Sequence, residues 1–449
     1  GTVEIDGRRP LVVVVGGGYG GRNVAKELDS DCDVVLVDRK DYFLHNIGIL
    51  RAMAVRGYAD RVLVPYSGLL TNGVVVQAHV EKIEPDAVWC HGVDAPIRFD
   101  FLVIATGTSY ALPANVALPL RSEAKQLFDA ELAILEKSKH VLVAGGGPVG
   151  FELAGEIKSQ HPQKQVTLVQ AGAALISSTM HQKFRESSQQ KLEALGVDIV
   201  LDQVVSWDKA CVAPSERTDA SESDAARRLA ALLPPCEDVW AQRMLTGERH
   251  FPTSANETGI KADLGFLCAR ARVNSSSYLN SFPVNKLGQL KVNEYLQVEG
   301  LRNVFAIGDC SNVDEAKLAA HAMVHSRIAA HNIKALCRAK DVERAKLKKH
   351  LPGGASKMVV PVGATQGVAG DGVKVITKDA VVSKMKSNDL YCQGAWDVLG
   401  FTSLQEVMEA AEHESSDEQR NALQAALARL NLPVALVSAP VYRAVDGHT

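Results

Sequence analysis

The sequence predicts an α/β protein with two doubly wound, parallel-sheet domains and a small α+β domain behind them. Three observations carry that expectation. The stretch LVVVVGGGYGGRNVAKEL (Leu11–Leu28) runs from a β-branched strand through clustered glycines into a helix, and HVLVAGGGPVGFELAGEI (His140–Ile157) repeats the pattern. A late apolar strand, LRNVFAIGDC (Leu301–Cys310), ends in Gly308-Asp309. Residues 350–400 hold only short apolar runs broken by glycine, MVVPVG, VKVIT and AVVSKM.

Val12–Val15 has the uniform apolarity of a parallel strand buried on both faces. Gly16, Gly18 and Gly21 form G-x-G-x-x-G at the strand-to-helix turn. The first glycine permits the tight turn, the second lets backbone approach a pyrophosphate, and the third lets helix and strand pack closely. A helix from about Gly20 to Leu28 would aim its positive end at those phosphates. The next strand, DVVLVD, ends in Asp38, roughly 20 residues after the first glycine, where a carboxylate can accept from ribose hydroxyls. The second copy has Val141–Ala144 as strand, then Gly145, Gly147 and Gly150, and its following strand QVTLVQ ends in Gln170. A neutral amide there would not repel a 2′-phosphate as a carboxylate does. Two complete fingerprints imply two dinucleotides, and two dinucleotides in one chain suggest electrons passing between them. With two such motifs present, the late strand ending in Asp309 can return to the first domain and set its carboxylate on a flavin ribityl chain. The strand in FDFLVIATGT (Phe99–Thr108) would end near the crossing between domains.

Together these features resemble the two-dinucleotide-binding-domain flavoproteins, and within them the apoptosis-inducing-factor-like, ferroptosis-suppressor branch of NAD(P)H:quinone oxidoreductases. The residues that carry the resemblance are GGGYGG, VDRKDYFLHNIGILRA (Val37–Ala52), GGGPVGFELAGEIK, VNSSSYL, LKVNEYLQVEGLRNVFAIGDC and MKSNDLYCQGAW (Met385–Trp396). It implies Rossmann-like FAD and NAD(P)H domains, with FAD and NADH or NADPH as cofactors. Gly16, Gly18, Gly20, Asp38, Arg51, Val80 and Asp309 would contact FAD. Gly145, Gly147, Gly150, Glu152 and Gln170 would form the NAD(P)H site. Lys386 would lie beside the isoalloxazine and Tyr391 near the quinone, so Lys386, Glu152 and Tyr391 are the catalytic candidates. Where the family pattern has a second Thr-Gly after FLC, this chain reads Ala269-Arg270, adding bulk and charge near the expected nicotinamide nucleotide.

The expected organisation is a split FAD domain (1–112 and 285–345), an NAD(P)H domain (113–284) and a C-terminal α+β domain with an extension (346–449). The Ala/Ser/Asp/Glu/Arg-rich stretch at about 207–240 reads as a mobile surface insertion. In the extension, Ser415-x-x-Glu418 resembles a capping box before Leu423, Leu427 and Leu430 at helical spacing, and PVALVSAPVYRAV reads as one or two strands. It is expected to pack on its parent domain, with a homodimer contact as the other reading.

The 449 residues are 46% hydrophobic, enough for two or three cored domains, and the net charge of −3 gives no electrostatic case for nucleic acid. The eight cysteines form no C-x-x-C pair and no zinc spacing, which suits reduced thiols and excludes a redox relay beside the first helix. No metal site is expected, and His45 reads as structural. No apolar run reaches the ~18 residues of a membrane span, and no signal-peptide core opens the chain. A cytoplasmic protein is expected, with the basic stretch Arg344–Lys357 read either as a solvated helix end or as a peripheral contact with anionic lipid, and a mitochondrial location as the alternative. Two other functions stay open: an NAD(P)H-dependent reductase of a ferredoxin-type protein, and a redox-sensing NAD(P)H-binding protein.

Overall fold

The computed structural model describes residues 8–110, 114–212, 244–268, 271–339, 341–353, 357–371, 373–413 and 417–440. Its first sheet contains β1 (Leu11–Val15), β2 (Asp33–Asp38), β3 (Val74–Gln77), β4 (Phe101–Ile104) and β11 (Val304–Ala306), in the order β11-β4-β1-β2-β3. All neighbours are parallel, with Val14 beside Leu36 and Val103, and Phe305 beside Val103. The uniform apolarity of β1 has the expected cause, because the sheet is covered on both faces. Val12 and Val14 enter a core shared with α1 (Tyr19–Leu28) and α6 (Ala319–Arg338), while Val13 and Val15 enter the core on the other face.

The second sheet runs β7-β6-β5-β10-β9-β8: β5 (His140–Ala144), β6 (Gln165–Val169), β7 (Asp198–Val200), β8 (Cys211–Val212), β9 (Met244–Thr253) and β10 (Asn256–Leu267). Its first four members are parallel; β9 and β8 add an antiparallel edge. This long β9–β10 hairpin has no counterpart in the sequence reading. Helices α3 (Arg121–Lys137), α4 (Pro148–Gln160) and α5 (Gln182–Leu195) contribute to the core on one face, while Trp207 and Phe251 pack on the other with ring centroids 5.4 Å apart. Residues 213–240 of the expected insertion lie outside the described residues, as do Arg270 and Ser415.

After α6 comes an antiparallel sheet of β12 (Met358–Val362), β13 (Gln366–Gly370) and β14 (Val375–Ile376). Val360, Val362 and Val368 pack into the core that holds Phe184 and Leu192 of α5. Gly155 of α4 passes so close beneath them that a Cβ there would lie 3.3 Å from Val362 Cα. By contrast α7 (Cys392–Val398) and α8 (Leu404–His413) pack on the first domain through Trp396, Phe401 and Val407. Leu427 of α9 (Asp417–Arg429) and Leu436 fill its opposite core.

Two sequence expectations fail in this region. AVVSKM is not a strand but a short helix, Asp379–Val382, that widens into a π-turn over Ser383–Ser387. The hydroxyls of Ser383 and Ser387 donate to the carbonyls of Ala364 and Gln366 in the β12–β13 hairpin, at 3.0 and 2.7 Å. These tertiary bonds override the local β-branched pattern. PVALVSAPVYRAV is a 3₁₀ turn over Val434–Ser438 in its described part. Pro433 and Pro440 bracket it and donate no backbone N–H to a ladder, while Leu436 anchors it in the core.

One buried group in α3 stands without a partner. Glu131 is 1% exposed, neither carboxylate oxygen has a hydrogen bond, and burial raises its pKa from 4.5 to about 8. The folded carboxyl therefore titrates above the unfolded one. Its stabilising contribution is present below pH 4.5 and lost as pH rises through about 8. In urea unfolding across that window, Glu131→Gln is expected to remove a slope of at most about 1.4 kcal/mol per pH unit. An unchanged slope in the variant would show that Glu131 is not the group responsible.

Candidate active site

Because β1, β2, β4 and β11 run parallel, their carboxyl ends share one edge of the first sheet, where such sheets bind ligands. Gly16 has φ +99° and donates to Val37 O at 2.8 Å. A Cβ on Gly16 would lie 2.5 Å from Ala105 O, and one on Gly21 would lie 1.7 Å from Gly16 O. At Gly20 it would press Ile307 at 3.1 Å, whereas at Gly18 it would meet nothing within 4 Å. The loop is thus closed against the sheet and open toward the crevice, a cradle that fits a pyrophosphate at the amino end of α1. Asp38 braces it, accepting from Gly17 N and, at 2.8 Å, from Lys40 N; Tyr66 OH donates to Gly17 O. Burial pulls Lys40 down to about 8 beside this carboxylate. Val80 begins the half-buried strand Val80–Glu84 that follows β3. Asp309 sits in the turn after β11 and accepts from Thr108 Oγ1 at 2.7 Å, at the chain's crossing out of the first domain.

The second loop repeats the main glycine contacts. Gly145 has φ +114° and donates to Val169 O; a Cβ on Gly150 would lie 1.9 Å from Gly145 O, and Gly147 is open. Gln170 takes the place of Asp38: its Oε1 accepts from Gly146 N at 2.9 Å. Its Nε2 donates to Ala174 O at 3.3 Å, so both ends of the amide brace the loop.

Beyond the second loop, α4 carries Glu152 and Glu156 one turn apart. Lys386 Nζ donates to Glu152 Oε1 and to Val359 O, both at 2.9 Å. Burial raises the Glu152 carboxyl, and the Lys386 ammonium opposes that shift. The π-turn is what aims Lys386 there. Leu390 and Tyr391 follow in left-handed conformations, φ +52° and +61°, leaving the Tyr391 side chain 44% exposed. His45 holds this bend: Leu390 O can only accept, so Nε2 carries the proton at 2.7 Å and Nδ1 accepts from Tyr19 OH at 3.0 Å. Burial lowers His45 to about 4, keeping it neutral.

Arg51, expected at the flavin, is held by protein partners. Its Nε and Nη2 donate to both oxygens of Glu156 at 3.0 and 2.7 Å, and Nη1 donates to Asn388 O at 3.1 Å. The Arg51 and Glu156 side chains are only 3% and 2% exposed. Arg51 therefore joins three segments, α2 (Ile49–Ala54), α4 and the 386–391 bend.

Sequence reasoning missed Glu156, although its i, i+4 spacing from Glu152 on one helix face was a usable signal. It also missed Arg22, buried over the Phe43 ring at 3.8 Å and donating to Ala395 O at 3.0 Å. A third omission is Glu315, His325 and His350, whose ligand-capable atoms gather behind the Asp309 turn. Gly308 N donates to His325 Nδ1 at 3.0 Å, so Nε2 bears the proton, which is directed at His350 Nε2, 3.2 Å away, with Glu315 Oε1 2.7 Å from the same nitrogen. That tautomer makes the cluster a hydrogen-bonded brace; a cation on Nε2 would require Nδ1–H facing Gly308 N–H.

Residues 10–326 match the family model of the pyridine nucleotide-disulphide oxidoreductases, and the chain belongs to that family. It is an NAD(P)H-dependent flavin oxidoreductase. Within the family it is 34% identical to apoptosis-inducing factor homolog B of Dictyostelium discoideum, over 76% of this chain and 84% of that protein. It is 31% identical to ferroptosis suppressor protein 1 of Xenopus tropicalis, over 87% of this chain and 96% of that one. The fold is shared with NDH2 from Plasmodium falciparum in complex with NADH, at a TM-score of 0.61 and 14% identity, covering 88% of this chain and 100% of that one.

Gly21→Ala is expected to prevent folding of the first domain, whereas Gly18→Ala should fold and weaken only dinucleotide binding. Circular dichroism and bound-flavin absorbance separate the two outcomes, and equal effects would contradict the cradle. Glu156→Ala, which strands a buried guanidinium, is expected to destabilise by about 3–5 kcal/mol. Replacing both partners, Arg51→Met with Glu156→Leu, should recover most of that loss in chemical denaturation.

Proposed function

We propose that the protein is an FAD-dependent NAD(P)H:quinone oxidoreductase. FAD, when bound, supplies the chemistry: it takes hydride from NAD(P)H and returns two electrons to an acceptor. The observation that supports this reading is the Lys386–Glu152 contact, a cation held on the helix that follows the second open glycine loop. Asp38 and Asp309 hold ribose and ribityl hydroxyls of FAD, and the amino end of α4 takes the NAD(P)H phosphates. Lys386 offsets negative charge that grows on the flavin ring, an interaction stronger at the transition state than before it. The exposed Met385 (40%) and Tyr391 (44%), one residue before and five residues after Lys386 in the chain, offer apolar surface suited to a flat quinone and favour this reading over the ferredoxin one.

Quinones dissolve in membranes, and no described helix is long and apolar enough to cross one. Access is then peripheral. The described segment after Arg344 carries no helix or strand and exposes Lys346 and Lys348, with Lys349 paired to Glu294, beside Leu351, 80% exposed. Anionic lipid attracts each such lysine by ~1 kcal/mol.

Lys386→Ala is expected to keep FAD content and nucleotide affinity while slowing turnover with a short-chain ubiquinone by about tenfold to a thousandfold, or ~1.4–4 kcal/mol. Stopped-flow and steady-state rates equal to wild type would remove Lys386 from the mechanism. NADH and NADPH are expected to give kcat/KM values within about tenfold, because Gln170 carries no charge against a 2′-phosphate. Gln170→Glu keeps an acceptor for Gly146 N and should shift preference toward NADH. Strong NADH selectivity in the unaltered protein would contradict this.

A further inference from the structure

The turn that carries Asp309 is held from behind by one imidazole. Gly308 stands in a left-handed conformation, φ +70°, and a Cβ there would lie 3.3 Å from Ala322 Cβ of α6. Strand partners and local bonds hold the rest of the turn. Ile307 N donates to Ile104 O at 3.0 Å, Ser311 Oγ donates to Gly308 O at 2.7 Å, and Gln289 Nε2 donates to Asp309 O at 3.2 Å. Gly308 N instead donates across to a side chain of α6, His325 Nδ1, at 3.0 Å. A buried amide stripped of its acceptor costs more than the bond itself contributes, so the turn and the ring are tied to one another.

His325 is itself fixed. It is 1% exposed, and Nε2 lies 2.7 Å from Glu315 Oε1 and 3.2 Å from His350 Nε2. The two imidazoles meet edge to face with centroids 4.5 Å apart, and His350 N donates to Glu294 O at 2.7 Å. Burial, with His350 beside it, pulls His325 down to about 4, so at neutral pH Nδ1 keeps the lone pair that Gly308 N–H needs.

We propose that His325 is a positioning residue for FAD: its Nδ1 bond to Gly308 N sets the backbone from which Asp309 reaches the ribityl hydroxyls. The inference rests on the proposed flavin site. His325 lies behind the turn and acts through Asp309, whose Oδ2 Thr108 Oγ1 orients at 2.7 Å. The two ring nitrogens have separate tasks: Nδ1 holds the turn, and the contacts of Nε2 with Glu315 and His350 hold the ring's rotation.

Two amides test those tasks apart. Asn puts an amide oxygen where Nδ1 stands and nothing at Nε2, whereas Gln reaches the Nε2 position and leaves the Nδ1 position without an acceptor. FAD dissociation constants are measured by flavin fluorescence on full-length protein freed of cofactor, with circular dichroism as the check on folding. His325→Asn is expected to bind FAD within about threefold of wild type, and His325→Gln more weakly on the order of tenfold. Added to Asp309→Ala, His325→Gln should weaken binding no further, because both act through one carboxylate. Loss in His325→Asn with retention in His325→Gln, equal effects of the two, or a full additional loss in the double variant would overturn the proposal. Wild-type protein that takes up no FAD, or Asp309→Ala that binds it as wild type does, would overturn the flavin site itself and this inference with it. Should His325→Gln fail to fold, ¹⁵N-histidine spectra of the wild type decide: an Nε2–H tautomer at His325 is expected, and Nδ1–H would overturn the bond to Gly308.

Discussion

The pair of carboxylates one turn apart on α4 is the constraint on which the site depends. Glu156 holds Arg51 of the first domain, and Glu152 holds Lys386 of the C-terminal segment. Arg51 in turn bonds Asn388 O, two residues beyond Lys386. A helix whose amino end frames the second glycine loop therefore also fixes the first domain and the bend carrying the cation. Both pairs are shielded from water, where a bidentate arginine–carboxylate geometry specifies orientation more than it adds stability. On the proposed reading, the lysine that would meet developing charge is held by the same helix that would receive the nicotinamide nucleotide.

The two glycine loops show one mechanical solution used twice. In each, a left-handed glycine closes onto a carbonyl of the neighbouring strand's end, a later glycine packs on the first, and the middle glycine stays open. The acceptor that braces the loop comes from the end of the next strand, Asp38 in one copy and Gln170 in the other. Replacing a carboxylate by an amide preserves that bracing bond and changes only charge. Folding of the loop and selection of the nucleotide are therefore separable at this position.

Much of this was legible in the sequence because its causes are local. Strand apolarity, glycine spacing and the polar residue at the following strand's end each lie within one βαβ unit. The return of β11 beside β4 was readable from the apolar run ending in Gly308-Asp309. What stayed hidden depends on partners distant in the chain. Arg51 meets Glu156, Gly308 N meets His325, and Ser383 and Ser387 bond a hairpin that turns an apparent strand into a π-turn. The 3₁₀ turn at Val434–Ser438 is likewise decided by the pocket that Leu436 fills.

The central claim is that one chain carries hydride from a nicotinamide nucleotide to its own flavin and then onward to a quinone. Anaerobic addition of NADH to the purified protein, followed by a short-chain ubiquinone, tests it directly. The account predicts that the yellow FAD absorbance bleaches on the first addition and returns on the second. A protein that takes up no FAD, or whose reduced flavin is left unchanged by the quinone, would contradict it.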